Sequence, residues 1–67
     1  MNVIINGKKE ELHLDSPTVA MLLKIYALDG KAVIVERNGE IVLKMDIDMT
    51  PINDGDRIEI VHFVGGG

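Results

Sequence analysis

Few side chains in this sequence have the type and spacing for chemistry. His13 and His62 are the only histidines, and there is no cysteine. Neither histidine has a Cys, Asp or Glu at a recognised metal-ligand spacing. Asp46-Ile47-Asp48 superficially suggests a cation site but lacks the further oxygen ligands of a calcium loop, so it reads as a solvated turn. Ser16 has no base and acid arranged around it, and a hydrolase is unsupported. His62 reads as a semi-buried strand residue. Met21, Met45 and Met49 read as core filler rather than a ligand set. What remains is the stretch Phe63-Val64-Gly65-Gly66-Gly67. Glycine loses the most backbone freedom on ordering, so three in a row either matter little or serve by being bare. A lead without side chains can enter a narrow channel in another protein and be held closely by its backbone. From Val64 to Gly67 it spans at most about 13–14 Å. If the bare end is the working part, the one chemical group it carries is the Gly67 carboxylate. At neutral pH that group is anionic and lacks a good leaving group, so acyl chemistry there requires prior activation.

Composition narrows the setting for such chemistry. The chain has 67 residues, enough for one small domain. A domain of this size buries only about 60% of its unfolded surface, so the core must be simple and the loops short. Apolar residues make up 46%, well above a disordered composition. Without cysteine there is no disulfide framework, thiolate metal site or cysteine nucleophile. That absence is compatible with a cytoplasmic location, which we expect. The net charge is −4, and the nearest approach to a basic cluster is Lys8-Lys9. Nucleic acid is therefore an improbable partner. An acidic domain suits a basic protein surface, although the same charge also serves plain solubility. No apolar run approaches the roughly 20 residues that span a bilayer, and no signal-peptide pattern is present. No membrane partner is expected.

The elements that must hold the chain end in place can be read in order. "MNVIIN" over 1–6 is rich in β-branched residues and predicts a strand. Asn6-Gly7 signals a tight hairpin turn, and "KKEELHL" returns as a second strand. Either Ser16, with Pro17 at the first helical position, or Thr18 caps the helix that follows. Val19, Leu22, Leu23 and Tyr26 mark one helix face, and Asp29-Gly30 predicts its end, with Gly30 as the left-handed cap. "AVIVE" from Ala32 is a third strand. Asn38-Gly39 turns it, and 41–43 return as a short fourth. The segment 44–52 has no period and predicts a loop with a helical turn. Asp54 and Asp56 flank a turn glycine and need no functional role. "RIEIVHFV" is the last and longest strand, expected at the centre of the sheet.

Alternation along that strand divides its residues between two faces. Ile58, Ile60, His62 and Val64 share one; Glu59, Val61 and Phe63 share the other. Glu59 is costly to bury unpaired, so Ile58 and Ile60 are placed beneath the helix. Val61 and Phe63 then lie on the open face beside the chain end, and we read them, with Glu59, as a partner-docking patch. Glu36 and Glu40 are candidates for the same acidic surface. The expected fold is α+β: a ubiquitin-like β-grasp with a mixed four- to five-stranded sheet on one main helix. It would occupy residues 1–64, with 65–67 a flexible glycine tail.

Several motifs, taken in order, resemble the ThiS family of small sulfur carriers in thiamin biosynthesis. They are "TVAMLL" at 18–23, "VIVERNGEIV" at 33–42, the Asp54-Gly55-Asp56 turn, and "IEIVHFVGGG" from Ile58. The resemblance covers essentially the whole chain. One departure is Gly65, a third glycine ahead of the usual Gly66-Gly67, which only lengthens the lead. The resemblance implies that Gly67 is the reactive residue, with Gly65 and Gly66 threading it into the partner. A partner adenylyltransferase resembling ubiquitin-activating enzymes would consume ATP to adenylate the Gly67 carboxylate. Sulfur from a donor such as a cysteine desulfurase persulfide would displace AMP and leave a thiocarboxylate. A thiazole synthase would then receive the sulfur. The protein would be a co-substrate, not an enzyme, with no permanently bound cofactor and no metal. A carrier for molybdopterin synthesis or tRNA thiolation shares the glycine pair and is an alternative. So is a non-catalytic ubiquitin-like interaction module.

Overall fold

The structure, a computed structural model, describes residues 1–63. The sequence readings that fall on Val64, Gly65, Gly66 and Gly67 lie outside the described residues. Five strands and one α-helix follow in the order β1 (Asn2–Ile5), β2 (Lys8–Glu11), α1 (Val19–Ile25), β3 (Val33–Arg37), β4 (Glu40–Val42) and β5 (Arg57–His62). A single 3-10 turn, Lys44–Asp46, lies between β4 and β5. The sheet order is β2-β1-β5-β3-β4. β1 and β5 are parallel; the other neighbours are antiparallel. A mixed sheet with the last strand at its centre and one helix across one face is the β-grasp arrangement expected from the sequence.

Both Asn-Gly pairs form the tight turns their chemistry favours. Asn6 and Gly7 have φ of 50° and 82°, and Asn38 and Gly39 have φ of 51° and 85°. Positive φ at both central residues gives a turn whose twist matches the flanking strands.

Helix α1 is capped by Thr18, whose Oγ1 accepts from the Met21 N–H at 3.3 Å. This resolves the choice between Ser16 and Thr18. The remaining free N–H groups of the first turn are met by the aperiodic segment. The Val19 N–H donates to the Thr50 carbonyl at 3.0 Å and the Ala20 N–H to the Ile47 carbonyl at 2.9 Å. A helix end needs such partners wherever water cannot supply them. The segment 44–52 is therefore a cap for the helix as well as a connection, and it brings Ile52 into the core at 2% exposure.

The helix ends earlier than Asp29-Gly30. Ile25 is its last residue, and Ala27 takes the left-handed conformation at φ 57°. The Leu28 N–H donates to the Leu23 carbonyl at 2.8 Å and the Ala27 N–H to the Lys24 carbonyl at 3.0 Å. That pair of bonds is a Schellman cap, with alanine where glycine is usual. Leu28 packs back onto the core that contains Leu23, which anchors this early stop. Gly30, at φ 75°, serves the next turn instead. Tyr26 leaves the apolar face as a consequence and is exposed.

The core consists of Val3, Ile5, Leu12, Val19, Leu22, Leu23, Val35, Ile52 and Ile58, with Ile60 packed against it. Full burial of a side chain such as Ile58 contributes about 1.5–3 kcal/mol. Two sequence readings are corrected here. Met21, Met45 and Met49 are exposed rather than core filler, because α1 turns its Met21 face outward and the other two sit on the surface turn. His62 is exposed, not semi-buried, because it is the last residue of β5, past Ile58 and Ile60, which make the core contacts. Among the described residues, no helix is long and apolar enough to cross a membrane.

Candidate functional site

The open face of the sheet and the leaving end of β5 form the candidate site. Glu59, Val61 and Phe63 are all exposed and lie together on the face away from α1, as alternation requires. Val61 stands opposite Ile34 on β3, and Glu59 opposite Glu36. Ile41 on β4 stands opposite Glu36 on its other side. An apolar field results, running from Phe63 and Val61 through Ile34 toward Ile41 and Leu43. These residues keep 43–65% of their surface in water. Such a contiguous patch is characteristic of a contact surface. Glu36 and Glu59 border it, so that side of its rim is acidic; Glu40, opposite Arg37 in the register that also pairs Arg37 with the core residue Ile58, lies on the other face, contrary to the sequence reading. The sequence places Glu59, Val61 and Phe63 on this face, where the structure has them, and does not single out Ile34, Ile41 or Leu43. The alternation in "AVIVE" does place Ile34 opposite in facing to Val33 and Val35. Only the register of β3 against β5 sets it beside Val61.

β5 is held at its start by a buried carboxylate. Asp56 is 7% exposed. Its Oδ2 accepts from Arg37 Nε at 2.8 Å and from the Asn53 N–H at 2.8 Å, and its Oδ1 accepts from Asn38 Nδ2 at 3.0 Å. Burial pushes the carboxyl pKa up. The hydrogen bonds from Asn53, Asn38 and Arg37, together with the guanidinium charge, outweigh that and hold it below the ordinary value. The sequence showed Asp56 only as a turn residue; the network depends on β3 and β5 being neighbours. Asp54 has a smaller part, accepting from the Asn2 N–H at 2.7 Å.

Both turn asparagines reach across to β5. Asn38 Oδ1 accepts from the Arg57 N–H at 2.9 Å, and Asn6 Oδ1 accepts from the Ile60 N–H at 2.8 Å. On the β3 side the ladder continues past His62, where the Phe63 N–H donates to the Ala32 carbonyl at 3.0 Å. The central strand is thus fixed on its β1 side as far as Ile60 and on its β3 side as far as Phe63, the last described residue. Among the described residues, no group of three or more His, Cys, Asp or Glu is placed to hold a metal ion.

Comparison with known proteins matches this geometry to a family. The ThiS family model matches residues 3–67. The chain belongs to the ThiS family. This ThiS-family chain is 49% identical over 63 residues to the sulfur carrier protein ThiS of Bacillus subtilis, covering 94% of this chain and 96% of that one. It is also 45% identical over all 67 residues to a protein from Paramagnetospirillum magneticum named thiazole synthase, where the match spans 20% of the longer chain. Among solved structures, the ThiS-family crystal structure from Geobacter metallireducens is similar along the full length of both chains, with a TM-score of 0.84 and 36% identity. The solution structure from the same organism gives a TM-score of 0.85 at the same identity, covering all of this chain and 88% of that one.

Proposed function

We propose that this protein is a sulfur carrier for thiamin biosynthesis whose reactive group is the Gly67 carboxylate. The observation that carries the reading is the near-full-length identity to the Bacillus subtilis sulfur carrier, within a family match that runs to Gly67. A partner adenylyltransferase joins the carboxylate oxygen to the α-phosphorus of ATP and releases pyrophosphate. AMP is then a good leaving group. A persulfide sulfur from the donor, such as a cysteine desulfurase, attacks the carbonyl and expels it. A thiol breaks the resulting S–S bond, and the terminal thiocarboxylate remains. The protein is consumed and regenerated in this cycle as a co-substrate, and ATP is bound by the partner.

Docking falls to the open face. Val61 and Phe63, with Ile34 beside them, offer apolar area, and the Glu59 side of the field offers negative charge to a basic rim on the partner. Gly65 and Gly66 then lead the carboxylate into the partner's active site.

A thiazole synthase is the proposed acceptor. The support is that a protein bearing that name carries, within its own chain, a segment 45% identical to all of this one. Tethering a carrier to its acceptor raises their effective concentration, the expected gain where sulfur passes directly between them. Relatives named for thiamin biosynthesis favour this acceptor over molybdopterin synthesis or tRNA thiolation.

The deciding experiment is intact-mass analysis after incubation with a cognate activating enzyme, ATP and a sulfur donor. The expected product is heavier by the exchange of one oxygen for sulfur at the C-terminus. An unchanged mass in a system that thiolates another ThiS-family carrier overturns the reading.

A further inference from the structure

The backbone pairing of β1 with β5 stops where the chain turns away. The register ends at Ile5–Ile58, and the Asn6 N–H donates to the Ile58 carbonyl at 2.9 Å. A further rung would need a peptide group that β1 no longer supplies. The Asn6 side chain stands in that place. Its Oδ1 accepts from the Ile60 N–H at 2.8 Å, and its Nδ2 donates to the Ile60 carbonyl at 3.3 Å. A primary amide offers the same donor and acceptor as a peptide group, so it extends the ladder by one rung without a strand. Val61 and Phe63 lie just beyond that rung. Without it, β5 past Ile58 would be held only from the β3 side and would be free to swing about that single ladder.

We propose that Asn6 is a positioning residue whose side-chain amide clamps β5 at Ile60 and sets the heading on which the chain leaves the sheet toward Gly67. This rests on the reading of Gly67 as the reactive group. Adenylation requires the carboxylate to meet the α-phosphorus in attack geometry, and small misplacements lower the rate steeply. Val61 and Phe63 of the docking field follow Ile60 directly along the chain, so the clamp acts on recognition as well as on the reactive step.

Asn6→Gly separates the clamp from the turn. Glycine adopts the left-handed conformation at least as readily as asparagine, so the hairpin is kept while the amide is removed. Two measurements decide. In the free protein, amide hydrogen exchange should accelerate about tenfold at Ile60 and several-fold at Phe63, with the β3–β4 amides unchanged. In ATP–pyrophosphate exchange with the cognate adenylating enzyme, kcat should fall about tenfold and KM for the carrier should rise several-fold. A variant that is merely less folded would raise the apparent KM and leave kcat at the wild-type value, because only the amount of competent carrier would change. Asn6→Asp keeps the acceptor for the Ile60 N–H but not the donor, and should give intermediate losses in both measurements. Faster exchange at Ile60 with an unchanged Phe63 amide overturns the proposal, as does wild-type kcat for Asn6→Gly. Wild-type protein that is silent in pyrophosphate exchange overturns the function reading instead, and the Phe63 amide then still decides the clamp.

Discussion

Glu36 and Glu59 stand directly opposite each other on the solvent face of β3 and β5, with no cationic side chain in an ion pair with either among the described residues. Like charges in that relation destabilise a sheet, typically by a few tenths of a kcal/mol up to about 1 kcal/mol. A fold resting on one small core retains this opposition beside the apolar field of the open face. Glu59→Lys should therefore raise stability by about 0.2–1 kcal/mol while slowing association with the adenylating partner. Urea denaturation and stopped-flow association at two salt concentrations check both halves. A variant that is both more stable and equally fast to associate would remove Glu59 from the docking rim.

Val61 and Ile34 form the centre of that field. Val61→Asp should leave the fold intact, because Val61 is 54% exposed and faces away from the core. Partner affinity should fall by about 2 kcal/mol or more if this pair is a docking centre. Calorimetric titration against the partner, with circular dichroism as the folding control, measures it. Ile41→Ser, toward the β4 edge, should cost less.

Replacing Gly66 with phenylalanine should leave folding unchanged and block adenylation, because a narrow channel that admits bare backbone excludes a ring. Unchanged ATP–pyrophosphate exchange with this variant would count against the channel.

Ala27 holds a left-handed conformation that costs a non-glycine residue roughly 1–2 kcal/mol. Ala27→Gly removes that cost but adds freedom to the unfolded chain. A net gain of about 0.5–1 kcal/mol is expected, seen as a higher denaturation midpoint at an unchanged m-value. Gly30→Ala should move the midpoint the other way, since Gly30 also has positive φ.

Asp56 links stability to pH. Its folded pKa lies below its ordinary value of 3.8, so the unfolded chain takes up the proton first as pH falls. The stabilisation is fully present above 3.8 and is lost as pH drops through the lower folded value. Asp56→Asn should flatten that acid limb and cost about 1–3 kcal/mol at neutral pH, through lost charge-assisted bonds to Arg37 and Asn53. Denaturation curves from pH 7 to strongly acid conditions test the slope.

The β-grasp was legible because its signals are local. Two Asn-Gly turns, one amphipathic helix and a β-branched final strand each specify themselves, and alternation within β5 was enough to put Ile58 inside and Val61 outside. What stayed hidden depends on neighbours distant in sequence. Nothing near Ile47 or Thr50 reveals that their carbonyls cap α1, since the partner N–H groups belong to Val19 and Ala20. The Asn6 and Asn38 side chains look like turn formers until β5 is laid between them. The helix end was misplaced because Gly30 is the stronger local signal, whereas the packing of Leu28 against the core favours stopping at Ala27.

The parallel pairing of β1 with β5 also gives the molecule a polarity. Asn2 lies beside Gly55, where β5 begins, while His62 lies at the far end of the sheet. A handle fused ahead of Met1 would emerge from the pole opposite the outgoing strand. Immobilised, labelled or tethered by that pole, the domain would leave the His62 end of its sheet unobstructed.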